Sequence, residues 1–461
     1  MNYQEATNRL LSLVDHERVQ PSLPRQKRIY DLGRMEALLE YLGNPHLGTP
    51  TIHVAGTKGK GSTAAMCDAV LHAAGYRTGF YSSPHMHTFR ERIRLNTQPV
   101  GEDQFAQLVA DLWQPQEWVP ANTDLGPVSL FEFMTVMAFQ CYQQEQVDFQ
   151  TIEVGLGGRL DATNVVQPSV CVITSISLDH TAILGDTLEQ IASEKAGIIK
   201  PGASVVIGPQ RPAAQSVILA VCQQRQARPV IVGQDITWQA GDRDSTGQSF
   251  LIRGRLGEYQ LRMPLLGAHQ LENAASAVAA LEVLTEQGYS IPDQAFAEGF
   301  AGVSWPCRME VLSQSPLLVA DGAHNAYSMA SLLESLPKYF DYSNLVVIAG
   351  FSRDKSINDM VALLAKGNPT VIATRSRHPR STPPPELAGL FQDQGLTQVT
   401  AADSVKDAVA QAMELAGPKD LILGTGSLFV AAEVRETLLG IVPELYPDLL
   451  PPDLRASGAN V

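Results

Sequence analysis

Short apolar, β-branched runs alternate with stretches of helical period along the first half of the chain. Strand candidates are Thr51–Ala55, Thr78–Tyr81, 151–154, 169–175 and Ser204–Ile207; helical stretches at 62–74, 101–112, Leu130–Gln144 and 187–196 lie between them. Runs apolar on both faces, joined by helices, predict a parallel sheet covered on each side. Before them, residues 3–43 read as two helical segments around a polar loop at 15–25. Residues 230–263 break the rhythm with short strand-like pieces separated by Gly and Asp, which predicts an antiparallel patch, and 269–287 is an alanine-rich helix. A boundary is expected at 299–306. The βα rhythm then restarts, with strands at Leu317–Ala320, Leu345–Ala349, 370–374, 398–400 and 420–423; Pro-rich pieces at 378–385 and 443–452 read as a loop and a surface tail.

Composition narrows the function classes. A chain of 461 residues is too long for one ordinary core. Its 44% hydrophobic and 18% charged residues suit a globular protein. A formal net charge of −14 with no basic stripe argues against a nucleic-acid partner, so any anionic substrate must be held by local positive groups. Five scattered cysteines without a C-x-x-C pair predict reduced thiols and a cytoplasmic setting. The first residues lack the pattern of a secretory signal. No run approaches the roughly 18 apolar residues of a membrane span.

The most informative segment is Gly56-Thr-Lys-Gly-Lys-Gly-Ser62, where the first apolar run gives way to a helical stretch. Glycines let the backbone curl so that successive N–H groups face an anion, and the helix N-terminus adds partial positive charge. A lysine there reaches phosphate oxygens, and a neighbouring hydroxyl suits Mg²⁺. Gly56, Thr57, Lys58, Gly59, Lys60, Gly61 and Ser62 are therefore the candidate ATP loop. The pattern departs from G-x-x-x-x-G-K-[ST]: Val54 stands where the first glycine belongs, and Gly61 is inserted between Lys60 and Ser62. A glycine-rich turn that holds no phosphate is the alternative.

Four further segments carry candidate chemistry. Glu153 interrupts the apolar run before Gly155, Gly157 and Gly158; a buried carboxylate is costly unless paired or metal-bound, which marks it as a Mg²⁺ ligand unless that face is solvated. His180 ends another apolar run and reads equally as a ligand or as a structural histidine, with Asp179 beside it as a turn cap. Arg90, Arg92 and Arg94 are able to grip a carboxylate, or to lie on a solvated strand. In the second half, Arg308, Asp321 and His324 lie where ligands of doubly wound sheets bind, and Gly424-Thr-Gly-Ser-Leu428 is a strand-to-helix turn.

These blocks occur in the order seen in the folylpolyglutamate and dihydrofolate synthases, which the chain resembles from about residue 30 to 436. Tyr30-Asp-Leu-Gly-Arg, the loop at 56–62, Ser82-Ser-Pro-His85, Phe131-Glu-Phe-Met-Thr135, Glu153-Val-Gly-Leu-Gly-Gly158, Leu178-Asp-His180, Glu194-Lys-Ala-Gly197, Trp305-Pro-Cys-Arg-Met-Glu310 and Asp321-Gly-Ala-His-Asn325 carry the likeness. The related muramyl ligases lack the extra glycine.

The resemblance implies an α/β fold: an N-terminal P-loop ATP-binding domain with a parallel sheet over 1–300, like the Mur ligase central domain, and a smaller Rossmann-like glutamate ligase domain over 301–461. It implies an ATP-dependent ligase adding L-glutamate to a folate through an acyl phosphate. Dihydropteroate as acceptor, alone or as well, is the alternative. Lys60 is implied at the ATP phosphates, and Ser83, Glu153, His180 and a carbamylated Lys195 at Mg²⁺, with two magnesium sites. Asn273 is implied at the nucleotide, and Arg308, Asp321 and His324 at the nucleotide and reaction centre. Ser82, Pro84, Arg92, His324 and Ser427 are the substrate candidates, and a monomer without membrane or nucleic-acid partners is expected. Met86 and His87 match no assignable pattern. A P-loop kinase, a muramyl-type ligase and an inactive nucleotide-binding relative are the other readings.

Overall fold

The computed structural model describes residues 1–15 and 31–446. Most of the polar loop expected at 15–25, Tyr30 and the Pro-rich stretch beyond 446 lie outside the described residues. Eight strands form the first sheet, in the order Gln98–Pro99, Ile93–Leu95, Thr78–Tyr81, Phe149–Glu153, Thr51–Ala55, Val170–Ile173, Ser204–Ile207 and Arg228–Ile231. The last six run parallel, and Ile93–Leu95 turns back antiparallel onto Thr78–Tyr81. Every residue of the two central strands is buried, as the apolar runs require.

The antiparallel patch is a three-stranded sheet of Thr237–Asp244, Gly247–Arg253 and Glu258–Met263. Val230 is not part of it; it sits on the edge strand of the large sheet. The helix Lys60–Ala73 packs on the large sheet and against helices Ala268–Glu286 and Asp293–Gly302, all within one apolar cluster. At Gly299 a Cβ would overlap the Val70 backbone, so this close helix crossing demands glycine.

Six strands form the second large sheet, in the order Glu310–Gln314, Leu317–Ala320, Leu421–Thr425, Leu345–Ala349, Thr370–Ala373 and Val399–Ala401, with the first antiparallel and the rest parallel. Apolar clusters cover both of its faces.

One helix end differs from expectation for a physical reason. The helix expected to stop at residue 112 runs from Glu102 to Asn122 through Pro115 and Pro120. Each proline removes a ladder bond, but Phe105, Leu108, Val109, Leu112 and Val119 continue one buried stripe that outweighs the loss. The described start of the surface tail, 443–446, is partly exposed and tied down: the Glu444 N–H donates to the His87 carbonyl, Phe89 N–H donates to Glu444, and Tyr446 packs on Phe89. No described helix is long and apolar enough to cross a membrane.

Candidate active site

The C-terminal ends of the parallel strands of both sheets open on one cleft of about 1310 Å³. The glycine loop forms one wall. Gly56 follows strand Thr51–Ala55 with φ 154°, and a Cβ there would overlap the Thr174 hydroxyl. Gly59 is left-handed at φ 86° and abuts Asn273 of the alanine-rich helix. The helix ladder starts with Thr63 N–H donating to Gly59 O, so the N–H groups of Lys60, Gly61 and Ser62 fall in the turn that a helix leaves without internal partners. Such free helix-start amides are able to seat an anion. The amides of Thr57 and Lys58 do not join them, because both donate to the Ser175 carbonyl.

Gly61 explains itself by close approach: a Cβ would strike the indole of Trp305, in the segment joining the two halves. Gly61→Ala should therefore displace Trp305 or the loop, and we expect the KM for ATP to rise about tenfold. Steady-state kinetics with varied ATP checks this; a KM within twofold of the parent would remove the loop from the nucleotide site.

Glu153 stands at the end of strand Phe149–Glu153, 5% exposed. Oε1 lies 4.0 Å from Lys60 Nζ, and Oε2 is a buried oxygen without a hydrogen-bond partner. Burial raises its pKa against the opposing pull of Lys60, the Ser83 N–H and Arg308. An unpartnered carboxylate oxygen beside free helix-start amides suits magnesium, which takes few protein ligands and completes its shell with water and phosphate. Next to Glu153, Asp161 is tied down by the N–H groups of Leu156 and Thr163 and by the Thr163 hydroxyl, which also meets His53 Nε2. These contacts shape the glycine turn at 155–158.

Lys195, 4% exposed, donates to the Gly56 carbonyl at 2.7 Å. Burial and then Lys60 depress its ammonium to about 7, so a nucleophilic neutral amine is accessible near neutrality. The sign for stability follows. Between pH 7 and the ordinary 10.5, the unfolded chain holds a proton that the folded chain lacks, so this residue's contribution to stability increases with pH. Below pH 7 both states hold it, and the cost of the buried ammonium is complete. Lys195→Met is expected to raise the melting temperature by several degrees at about pH 6 and progressively less toward about pH 10, as read by calorimetry. A variant less stable than the parent at both ends would contradict the burial account.

Asp179 is more than a turn cap. Its Oδ2 accepts from Lys58 Nζ at 3.0 Å and from Asn325 Nδ2 at 3.1 Å, and Lys355 lies 3.7 Å from Oδ1. Burial works to raise this carboxyl, but Lys58, His180, Lys355 and His324 outweigh it and hold it well below the usual range. Lys58 Nζ also meets His324 Nε2 at 3.1 Å, while His324 Nδ1 lies 2.9 Å from the Gly322 carbonyl. A carbonyl only accepts, so Nδ1 carries the proton and the Nε2 lone pair faces Lys58. Enclosure and the lysines push this imidazole down to about 3, leaving a poor base and a good positioning group. His180, left-handed at φ 49°, is half exposed beside Asp179.

Asp321 is fully engaged: Met309 N–H and Ala323 N–H donate to its two oxygens, which fixes the turn carrying Arg308. Arg308 lines the cleft, with Nη1 donating to Cys307 O. Ser82, Ser83, Pro84 and Asn273 line it too, and Ser427 does so while its hydroxyl caps helix Leu428–Leu439. Arg92 does not line it. It is buried, with Nε on His85 Nδ1, because the turn at Phe89–Arg92 points it inward. The arginine of this run in the cleft is Arg94, stacked over Trp305 and Phe80.

Comparison with known proteins agrees with this architecture. The Mur ligase middle domain matches residues 128–281, and the Mur ligase glutamate ligase domain matches 307–428. The chain is 34% identical over 411 residues to a Bacillus subtilis dihydrofolate synthase/folylpolyglutamate synthase, covering 88% of this chain and 94% of that one. It is 34% identical to the folylpolyglutamate synthase of Lacticaseibacillus casei, covering 91% and 97%. The structure of Mycobacterium tuberculosis folylpolyglutamate synthase complexed with ADP aligns with a TM-score of 0.85 at 32% identity, over 96% of this chain and 99% of that one. With its two-sheet cleft, its glycine loop and these relatives along nearly its whole length, the chain belongs to the folylpolyglutamate synthase/dihydrofolate synthase family of ATP-dependent glutamate ligases.

Proposed function

We propose that this chain joins L-glutamate to the carboxylate of tetrahydrofolate or its polyglutamates, with ATP as the energy source. Residues 1–300 serve as the ATP-binding domain and 301–461 as the glutamate ligase domain. The observation that carries this reading is the buried, unpartnered oxygen of Glu153 beside Lys60 and the helix amides, facing Arg308 across the cleft.

A carboxylate is a poor electrophile and hydroxide a poor leaving group, so the acid must first be activated. The amides of Lys60, Gly61 and Ser62 seat the terminal phosphate, and Lys60 neutralises charge as it transfers. Arg308 approaches the same phosphate from the second sheet, on the turn that Asp321 holds. A folate carboxylate oxygen forms the new O–P bond and ADP leaves. The glutamate amine, having lost its ammonium proton, then forms the C–N bond and phosphate departs. Water would destroy the acyl phosphate, so the Trp305 connection must keep the cleft closed. Glu153 and Ser83, with His180 and a carbamylated Lys195, are the groups that would hold magnesium; bound there, it neutralises phosphate oxygens. Asn273 contributes at the nucleotide, and Ser82, Pro84, Arg94 and Ser427 at the substrates. His324 positions Lys58. All five cysteines are free and buried, which fits the cytoplasm, and a monomer suffices for this site.

The name of the Bacillus subtilis relative carries both activities, which favours dihydropteroate as a second acceptor. Mass analysis of products after incubation with ATP, Mg²⁺, glutamate and either acceptor tests both readings. A glutamyl adduct of tetrahydrofolate is expected; phosphate release without any adduct would overturn the proposal.

A further inference from the structure

We propose that Met86 and His87 form a plug through which the first half of the chain sets the position of Arg308 and of the glutamate side of the cleft. This makes them positioning residues for the ligation, and it rests on the ligase reading above. Met86 also borders the cleft, whereas His87 does not line it. Both follow closely on Ser82, Ser83 and Pro84, which line the cleft, with His85 between, and the Ser83 N–H reaches Glu153.

The two side chains leave the first half and enter the second. Met86 packs into an apolar niche of Cys307, Ala320, Ala431 and Ala432. His87, 7% exposed, puts Nδ1 2.9 Å from Glu436 Oε1 and Nε2 3.2 Å from Arg435 Nη1. A guanidinium only donates, so Nε2 accepts and Nδ1–H donates to the carboxylate; a neutral ring satisfies both partners.

From there the contacts lead to the active site. Arg435 Nε donates to Glu310 Oε1 at 3.0 Å, and Glu310 Oε2 accepts from Cys307 N–H at 2.9 Å. The Cys307 carbonyl accepts from Arg308 Nη1 and from Gly322 N–H. His87 is thus joined to Arg308 by consecutive hydrogen bonds.

The plug is stiff at its base. The Glu91 carboxylate accepts the N–H groups of Met86, His87 and Thr88. Glu444 grips the next turn from the other side, through His87 O and Phe89 N–H. A loose contact between halves would need none of this, because inter-domain surfaces are ordinarily polar and mobile.

Kinetics of the full chain separate positioning from stability. Loss of active protein lowers kcat and leaves every KM unchanged, whereas a misplaced second half weakens capture of the substrate it receives. His87→Ala is expected to raise the KM for glutamate about tenfold and, through Arg308, the KM for ATP by a smaller factor. Met86→Ala should act in the same direction, and His87→Gln, which keeps a donor and an acceptor, should restore most of the loss. Glu436→Gln attacks the contact from the other side, so the test survives if His87→Ala fails to fold. Because the two groups share one contact, the double variant His87→Ala/Glu436→Gln should be no worse than about the weaker single.

Unchanged glutamate KM in His87→Ala and Met86→Ala, or multiplicative effects in the double variant, would overturn the proposal. Should the parent make no glutamyl product, the ligase reading fails by itself. Small-angle scattering then decides the plug alone: an increased radius of gyration in His87→Ala supports it, and an unchanged one refutes it.

Discussion

Glu153→Gln is expected to reduce glutamate-dependent amide formation about a thousandfold or more, while leaving the fold intact. The carboxylate is buried at the strand end with one oxygen near Lys60 and the other without a partner. Lys60, the Ser83 N–H and Arg308 offset its desolvation only in part, since burial still raises its pKa, so its contribution to folding is unfavourable or small. Its position is explained by the charge it offers to a ligand. Glutamine keeps the shape and removes that charge. The melting temperature of the ligand-free variant should therefore equal or exceed that of the parent, while turnover disappears. Calorimetry and product mass analysis on the same preparation check both halves. A variant that loses stability and keeps its activity would reduce Glu153 to a structural residue.

The second large effect belongs to Lys60. Lys60→Met should lower kcat/KM for ATP by about a hundredfold to a thousandfold, because the charge that follows the transferring phosphate is lost while the helix amides remain. Lys58→Met should cost at least about tenfold less. The two lysines stand two positions apart, yet their surroundings differ. Lys58 is taken up by Asp179 and His324, whereas Lys60 faces Glu153 at 4.0 Å. Kinetics with varied ATP order the two variants, and the reverse order would mean that the ion cluster around Asp179 opens to release Lys58 to the nucleotide.

The contrast between these lysines shows what was legible in the sequence. Local signals were readable: the strand before Gly56, the left-handed Gly59 and the isolated charge of Glu153 within an apolar run all follow from short-range periodicity and steric rules. The inserted Gly61 was readable as a departure, but its cause, Trp305, lies in a distant segment. Asp179 read as a turn cap because its partners Lys58 and Asn325 are 121 and 146 positions away. Arg92 and Arg94 are alike in sequence, and only the turn at Phe89–Arg92 decides which enters the cleft. Met86 and His87 carried no readable signal, since their pockets are assembled from the second half of the chain.

In the proposed reaction the acid is activated by phosphoryl transfer before the amine arrives. The direct measurement uses a folate acceptor whose reacting carboxylate carries a heavy-oxygen label, incubated with ATP, Mg²⁺ and glutamate. Each amide formed is expected to deliver a labelled oxygen to the released phosphate. Amide product accompanied by unlabelled phosphate would contradict that activation.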